Sequence, residues 1–224
     1  MNANRQNNPK QPIIQQEQVV SVPRELAANR QSADTQGMKT VSKPNDEHEI
    51  ELETAGLCLR FSRIGDRFQL RLQVDGALLL ETVNSGADEA WPAAPPLQQL
   101  HEQVLPTGAV VLGVGSAGTT HWSASFAAKE PGVVWCEYAA RVSRTWDPAS
   151  QWLGTSFRIG EGWELSSSEN ALALSSKALK VLLQTLGPES QLTASRCGSF
   201  ELAPAKDFAQ RSNTIQWRLA VCLK

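Results

Sequence analysis

An alternation of apolar and polar side chains with a period of two residues dominates the sequence from about residue 48 onward. It is cleanest in Arg67–Asp75, where polar side chains alternate with Phe68, Leu70, Leu72 and Val74. Successive side chains of a β-strand point to opposite faces, so this pattern is typical of a strand with one buried and one wet face. The sequence therefore predicts a β-rich fold.

Eight further segments are predicted as strands, by alternation, by an apolar run or by their place after a turn. They are His48–Thr54, Leu57–Ser62, Ala77–Val83, Ala109–Gly115, Thr119–Ala127, Val133–Val142, Leu153–Ile159 and Thr214–Leu223. Asp75-Gly76 tolerates the positive φ angles of a type I′ turn, which predicts a hairpin. We expect an antiparallel β-sandwich or partly closed barrel of roughly ten strands with one or two helices. By the same alternation, we expect Trp122 and Trp217 to lie in the core of this domain.

Two segments favour helices instead. Leu97–Val104 lies inside a long connection and places Leu97, Leu100 and Val104 on one helical face. Glu169–Leu186 has a capping-box pattern at its start and Gly187-Pro188 at its end, which favours a helix. Alternation within the second segment leaves a pair of strands as the alternative.

Residues 1–47 differ from the rest of the chain. They hold seven Gln, six Asn and four Pro but no aromatic residue. Such a segment cannot bury enough apolar surface to offset its ordering entropy, so we expect a disordered tail before one antiparallel β domain over residues 48–224. Translation from Met38 would remove most of this tail. It has no apolar stretch of the kind that a secretory signal needs.

Charge and cysteine usage exclude several classes of protein. The net charge of −2 and a pI near 6.0 argue against nucleic-acid binding, and no apolar run is long enough to span a membrane. The four cysteines, Cys58, Cys136, Cys197 and Cys222, show no Cys-x-x-Cys spacing. We expect a cytoplasmic location, buried free thiols, and neither a cofactor nor a metal.

The glycines at 113, 115 and 118 have the spacing of a dinucleotide-binding loop, with Glu137 at the distance of a ribose-binding acid. That site requires a helix to begin at the third glycine, whereas Thr119–Phe126 alternates like a strand. A nucleophile elbow around Ser116 lacks its first glycine, since Val114 stands there. We therefore interpret these glycines as hairpin or bulge positions.

His121 is the candidate for acid–base chemistry. It lies on the polar side of its predicted strand, and a neighbouring strand could bring Glu137 or Arg141 beside it. The three histidines of the chain show no metal-ligand spacing. An enzyme of unknown chemistry around these three residues is thus one hypothesis for the function.

Tryptophan is the unusual residue type, with seven copies against one tyrosine. Trp91, Trp146 and Trp152 fall in or beside predicted loops, where an indole ring supplies rigid contact area to a ligand. We expect a non-catalytic binding module that uses these tryptophans or the second-half sheet face, with an unknown protein or small molecule as partner. A structural subunit that docks through its N-terminal tail is the third hypothesis.

Overall fold

The computed structural model describes residues 49–84, 90–142, 147, 152–168, 171–177, 179–195, 198–205 and 213–224. They form two antiparallel sheets, of seven and eight strands, and no helix occurs within these ranges. Residues 1–48, Trp146, Glu169 and Cys197 lie outside them, and so does the predicted tail.

The first sheet has the order β1-β2-β3-β4-β9-β14-β13. Its strands are β1 (Ile50–Thr54), β2 (Leu57–Ile64), β3 (Arg67–Val74), β4 (Ala77–Thr82), β9 (Thr155–Ile159), β13 (Ser190–Ser195) and β14 (Ser199–Pro204). The predicted hairpin between β3 and β4 is confirmed, since Asp75 and Gly76 have φ angles of 48° and 81°.

The second sheet has the order β10-β11-β12-β15-β8-β7-β6-β5. Its strands are β5 (Leu97–Leu105), β6 (Gly108–Ala117), β7 (Thr120–Glu130), β8 (Val133–Arg141), β10 (Glu164–Ser168), β11 (Ala171–Ser176), β12 (Leu179–Thr185) and β15 (Thr214–Leu223). Both sheets are open at their ends, so the fold is a sandwich of two sheets and not a closed barrel. The described part has fifteen strands, more than the ten expected.

One apolar core joins the inner faces of the two sheets. Phe61 of β2 meets Phe126 of β7 edge-on at 4.9 Å, and Tyr138 connects Phe126 to Trp217 of β15. Trp122 and Trp217 are both buried, as the alternation predicted. Aromatic pairs at these separations contribute stability beyond the area that they bury.

The prediction of helices was wrong. Leu97–Val104 forms most of strand β5, where a register shift between Leu97 and Gln99 lets Leu97 and Leu100 both turn toward the core. A bulge of this kind imitates the i, i+3 spacing of a helix. Within the segment from 169 to 186, Ala171–Ser176 and Leu179–Thr185 form strands β11 and β12, which was the alternative. Gly187, at φ +96°, belongs to the turn after β12.

The solvent-facing side of β3 is less wet than predicted. Arg67 and Gln69 are buried, although both lie on the polar side of the alternation. Arg67 Nε donates to Asp66 Oδ1 at 3.0 Å, and Gln69 Nε2 donates to the Thr82 carbonyl at 3.1 Å. Buried polar groups need such partners, so these contacts offset part of the cost of burial, whereas Gln69 Oε1 has no partner within the described ranges.

Candidate binding surface

The outer faces of the two sheets differ in chemistry. On the first sheet, Arg60 lies 2.7 Å from Glu51, and Glu81 pairs with both Arg71 and Arg158 at 3.2 Å. These charges form a cross-strand ladder, and exposed pairs of this kind contribute little stability. Because these charges neutralise one another and are hydrated, the face has little unpaired charge with which to bind a ligand.

The outer face of the second sheet carries few charges and many small side chains. Its outward residues in β6, β7, β8 and β15 include Val110, Leu112, Val114, His121, Ser123, Ser125, Trp135, Glu137, Ala139, Arg141, Gln216 and Arg218. Leu112 and Val114 are 38% and 50% exposed. Exposed apolar side chains in one area are a mark of interaction surfaces.

Two adjoining grooves cross this face. The first has a volume of about 360 Å³ and lies over β5 to β8, with Gln103, Leu105, Lys129 and Trp135 among its walls. The second has a volume of about 390 Å³ and extends toward Gln216 and Arg218. The grooves share three lining residues, Leu112, Ser125 and Glu137. Glu137 therefore lies at their junction.

Trp135 supplies the aromatic surface of the first groove. It lies two residues before Glu137 on β8, so both side chains point outward. The ammonium of Lys129 lies 3.8 Å from the centre of the Trp135 ring. An aromatic ring face attracts cations, and here the cation is the Lys129 ammonium of the same chain.

Glu137 is half-buried and has an unengaged carboxylate. The sheet register sets it opposite Ser125 on β7 and Arg218 on β15. The Arg218 guanidinium forms an ion pair with Glu189. Within the described ranges, Glu137 has no hydrogen bond or ion pair. The carboxylate lies on the groove surface without a partner in these ranges, so it is available to a ligand.

His121 is exposed near one end of the same face. It lies opposite Arg141, whereas Glu137 is four residues from Arg141 along β8, about 13 Å at the rise of a strand. The structure therefore brings His121 and Arg141 together but not His121 and Glu137. A general acid–base pair needs hydrogen-bond distance, directly or through one water, and this register does not provide it.

The loop tryptophans are less accessible than a flat ligand surface requires. Trp91 and Trp152 are both half-buried, and Trp91 packs against the core. Trp146 lies outside the described residues. Sequence reasoning did not single out Trp135 or Lys129, although the alternation already placed Trp135 on the polar side of its strand with Glu137. A tryptophan among outward polar residues was the signal that could have found the groove.

The glycine pattern serves the β6–β7 hairpin. Gly113 and Gly115 lie within β6, and Gly118 forms the turn with φ +55°. A Cβ at Gly115 would lie 1.8 Å from the carbonyl oxygen of Pro96, so the chain before β5 can approach only a glycine here. Strand β7 follows the turn where a dinucleotide site requires a helix.

The cluster of Glu51, Glu53 and Cys58 is the one group of three potential metal ligands among the described residues, with its ligand atoms within 4.8 Å of one another. Burial, together with the two carboxylates, raises the pKa of the Cys58 thiol to about 11. Since the thiolate is the form that binds metals, this environment disfavours the ligand form of Cys58. We assign no metal to the cluster.

No helix in the described part of the chain is long and apolar enough to cross a membrane. The sequence matches no model of a known protein family and has no significant match among curated proteins.

Proposed function

We propose that this chain is a non-catalytic binding module whose ligand lies along the outer face of the second sheet, over Trp135 and Glu137. The observation that carries the proposal is Glu137, a half-buried residue whose carboxylate has no partner within the described ranges and lies where the two grooves meet. A ligand that donates a hydrogen bond or brings a positive charge to this carboxylate would supply the missing partner.

The surroundings of Glu137 indicate the rest of the ligand's chemistry. Trp135 offers the ring surface that Lys129 leaves uncovered, while Leu112 and Val110 offer apolar contact, and Ser125 and Gln103 offer polar groups. Ligand sites in proteins combine a mainly apolar lining with a few polar groups that fix orientation. The groove therefore suits a small molecule or a peptide side chain with an apolar body and a donor group, such as an amine or a hydroxyl.

The loop tryptophans Trp91 and Trp152 remain secondary candidates, because each leaves part of its ring accessible. The cytoplasmic location is also part of the proposal, and it is supported by three free cysteines, Cys58, Cys136 and Cys222. The docking tail would involve residues outside the described ranges. No observation favours an enzyme centred on His121, because the register separates this residue from Glu137.

A thermal-shift screen tests the proposal, because a ligand that binds the folded state raises the unfolding midpoint. The probes are linear polyamines, amino sugars, neutral oligosaccharides and short lysine-containing peptides. We expect at least one probe to raise the midpoint in a concentration-dependent way. We expect Glu137→Gln to weaken that binding by about ten- to 100-fold, the range for a lost charge-assisted hydrogen bond. Trp135→Ala should weaken it as well.

Trp152→Ala is the matched control, since it removes a half-buried tryptophan that does not line either groove. Loss of binding in Trp135→Ala with binding retained in Trp152→Ala places the ligand on the outer face. The reverse result would move the site to the loop tryptophans and overturn the proposed surface. A screen in which no probe shifts the midpoint would count against a small ligand of this chemistry.

A further inference from the structure

The four sheet edges in the described part of the chain are unequal. Strands β1 and β13 end the first sheet, and β10 and β5 end the second. The first three have five or six residues, whereas β5 has nine. An edge strand presents unpaired backbone groups, and proteins protect such edges by keeping them short, charged or covered. By length, β5 is the least protected of the four.

The side chains at this edge are unusually apolar for a surface. Of the five large hydrophobic side chains that are exposed within the described ranges, four lie on β5 and its neighbour β6. Val104 is 74% exposed and Leu105 is 36% exposed, both at the end of β5. By contrast, the edge strand β1 carries two acidic residues, Glu51 and Glu53. Only one acidic residue, Glu102, lies on β5.

The sequence of β5 with its flanking prolines is partly palindromic, with three of the five residue pairs about its centre identical. Pro96–Pro106 reads P-L-Q-Q-L-H-E-Q-V-L-P, and its centre is His101. A two-fold axis through His101 would set the strand antiparallel to itself in a second copy. Gln99 would then lie opposite Gln103, and the bulge after Leu97 takes that residue out of the regular pairing. A two-fold symmetric interface places the same surface of both copies in contact, and an edge strand paired antiparallel with its own copy does this.

We infer that a second copy of this chain pairs with β5, edge to edge and antiparallel, about a two-fold axis at His101. The pairing joins the two eight-stranded sheets into one continuous sheet and covers the exposed Val104. The prolines end the pairing on both sides, because proline has no N–H to donate to a ladder. In this register each Glu102 faces Leu100 of the other copy, so the two carboxylates are not opposite one another. The inference does not depend on a ligand in the grooves.

The mass of the full 224-residue chain in solution is the first test. Light scattering on a concentration series should give twice the chain mass of 24.4 kDa. Val104→Lys should shift the chain to the monomer, because it places a charge on the edge strand. Val104→Thr, which keeps a β-branched side chain, should stay dimeric. Circular dichroism verifies that both variants fold, which the exposure of Val104 favours.

Cross-linking tests the register. Directly opposed residues of an antiparallel pair have Cα atoms about 4.5 or 5.5 Å apart, within the range that a disulfide spans. His101→Cys should therefore form a covalent dimer on mild oxidation, whereas Gln103→Cys alone should not. A mixture of Gln99→Cys and Gln103→Cys chains should cross-link to each other. The wild-type chain controls for its native cysteines.

Three results would overturn the inference. One is a chain that stays monomeric at every concentration, which would leave the β5 edge to another kind of partner. Another is a dimer that persists in Val104→Lys. The third is a dimer in which His101→Cys fails to cross-link, since that places the contact elsewhere or in another register.

Discussion

The buried hydrogen bond between Trp217 and Thr155 leads to a quantitative prediction about stability. Trp217 Nε1 donates to Thr155 Oγ1 at 3.1 Å, and both residues are fully buried. The bond connects β15 of the second sheet to β9 of the first. Thr155→Val replaces the acceptor with a methyl group of similar size and leaves the indole N–H without a partner. The cost of an unpaired buried donor is about 1–3 kcal/mol.

Thr120→Val is the matched control for this substitution. Thr120 is 1% exposed, and its hydroxyl oxygen has no hydrogen-bond partner within the described ranges. Replacing an unpaired buried hydroxyl with a methyl group removes a polar group that already lacks compensation. We therefore expect Thr120→Val to leave the free energy of unfolding unchanged or to raise it. The same chemical change should thus have opposite consequences at two buried threonines.

Urea unfolding followed by circular dichroism measures both free energies. For a domain of this size, a loss of 1–3 kcal/mol corresponds to a fall in Tm of about 2–12 °C. A double-mutant cycle with Trp217→Phe isolates the hydrogen bond between Trp217 and Thr155, because phenylalanine has no N–H group that could lose its acceptor. Thr155→Val should cost less in the Trp217→Phe background. Equal costs in both backgrounds, or equal effects at Thr155 and Thr120, would refute the reasoning.

Two further predictions concern backbone packing and thiol chemistry. Gly115→Ala should strongly destabilise the protein in urea unfolding, because its Cβ would lie 1.8 Å from the Pro96 carbonyl oxygen. Gly65→Ala is the comparison, since the space around Gly65 is open and its φ is +64°. That variant should cost only about 1 kcal/mol of backbone strain. Alkylation of Cys58, followed by peptide mass spectrometry, should keep accelerating between pH 8 and 10, because burial and neighbouring carboxylates raise its pKa to about 11. Glu53→Gln should lower that pKa and speed the reaction at pH 8; an unchanged rate would contradict the electrostatic cause.

Alternation predicted the strands well wherever one face of a strand is buried. In β3 the four apolar residues Phe68, Leu70, Leu72 and Val74 are all buried, and β15 behaves in the same way. The reason is physical, since a slip of one residue would move the whole apolar set into water. What alternation could not provide was the order of the strands, because pairing partners such as β4 and β9 are far apart in the chain.

The helix predictions failed where local pattern and long-range contact disagreed. In β5 the phase of the alternation changes at the bulge after Leu97, so a strand acquired the spacing of a helix. At Gly187-Pro188 the same residues suit a helix end and a turn between strands. Only the contacts of β12 with β11 and β15 decide between these two structures.

The candidate site was predicted in part. Alternation alone places His121, Glu137 and Arg141 on polar faces, and the structure has all three on one outer face. It could not state which of them are neighbours, because that depends on the turn between β7 and β8. An irregularity between Ala128 and Glu130 sets the register that pairs His121 with Arg141. A change of register by one bulge is invisible in composition or spacing.

The proposed groove and the proposed dimer share strand β5, and this makes the two separable by experiment. Gln103 and Leu105 line the first groove, while Val104 does not. In the dimer, Gln99 of the second copy lies beside Gln103, so pairing would extend one wall of the groove. Val104→Lys should then weaken ligand binding only through loss of the dimer, and Trp135→Ala should weaken binding without changing the mass. If Trp135→Ala instead abolished the dimer, the outer face itself would be the contact between copies. That result would contradict both the ligand site on the outer face and the dimer contact at β5.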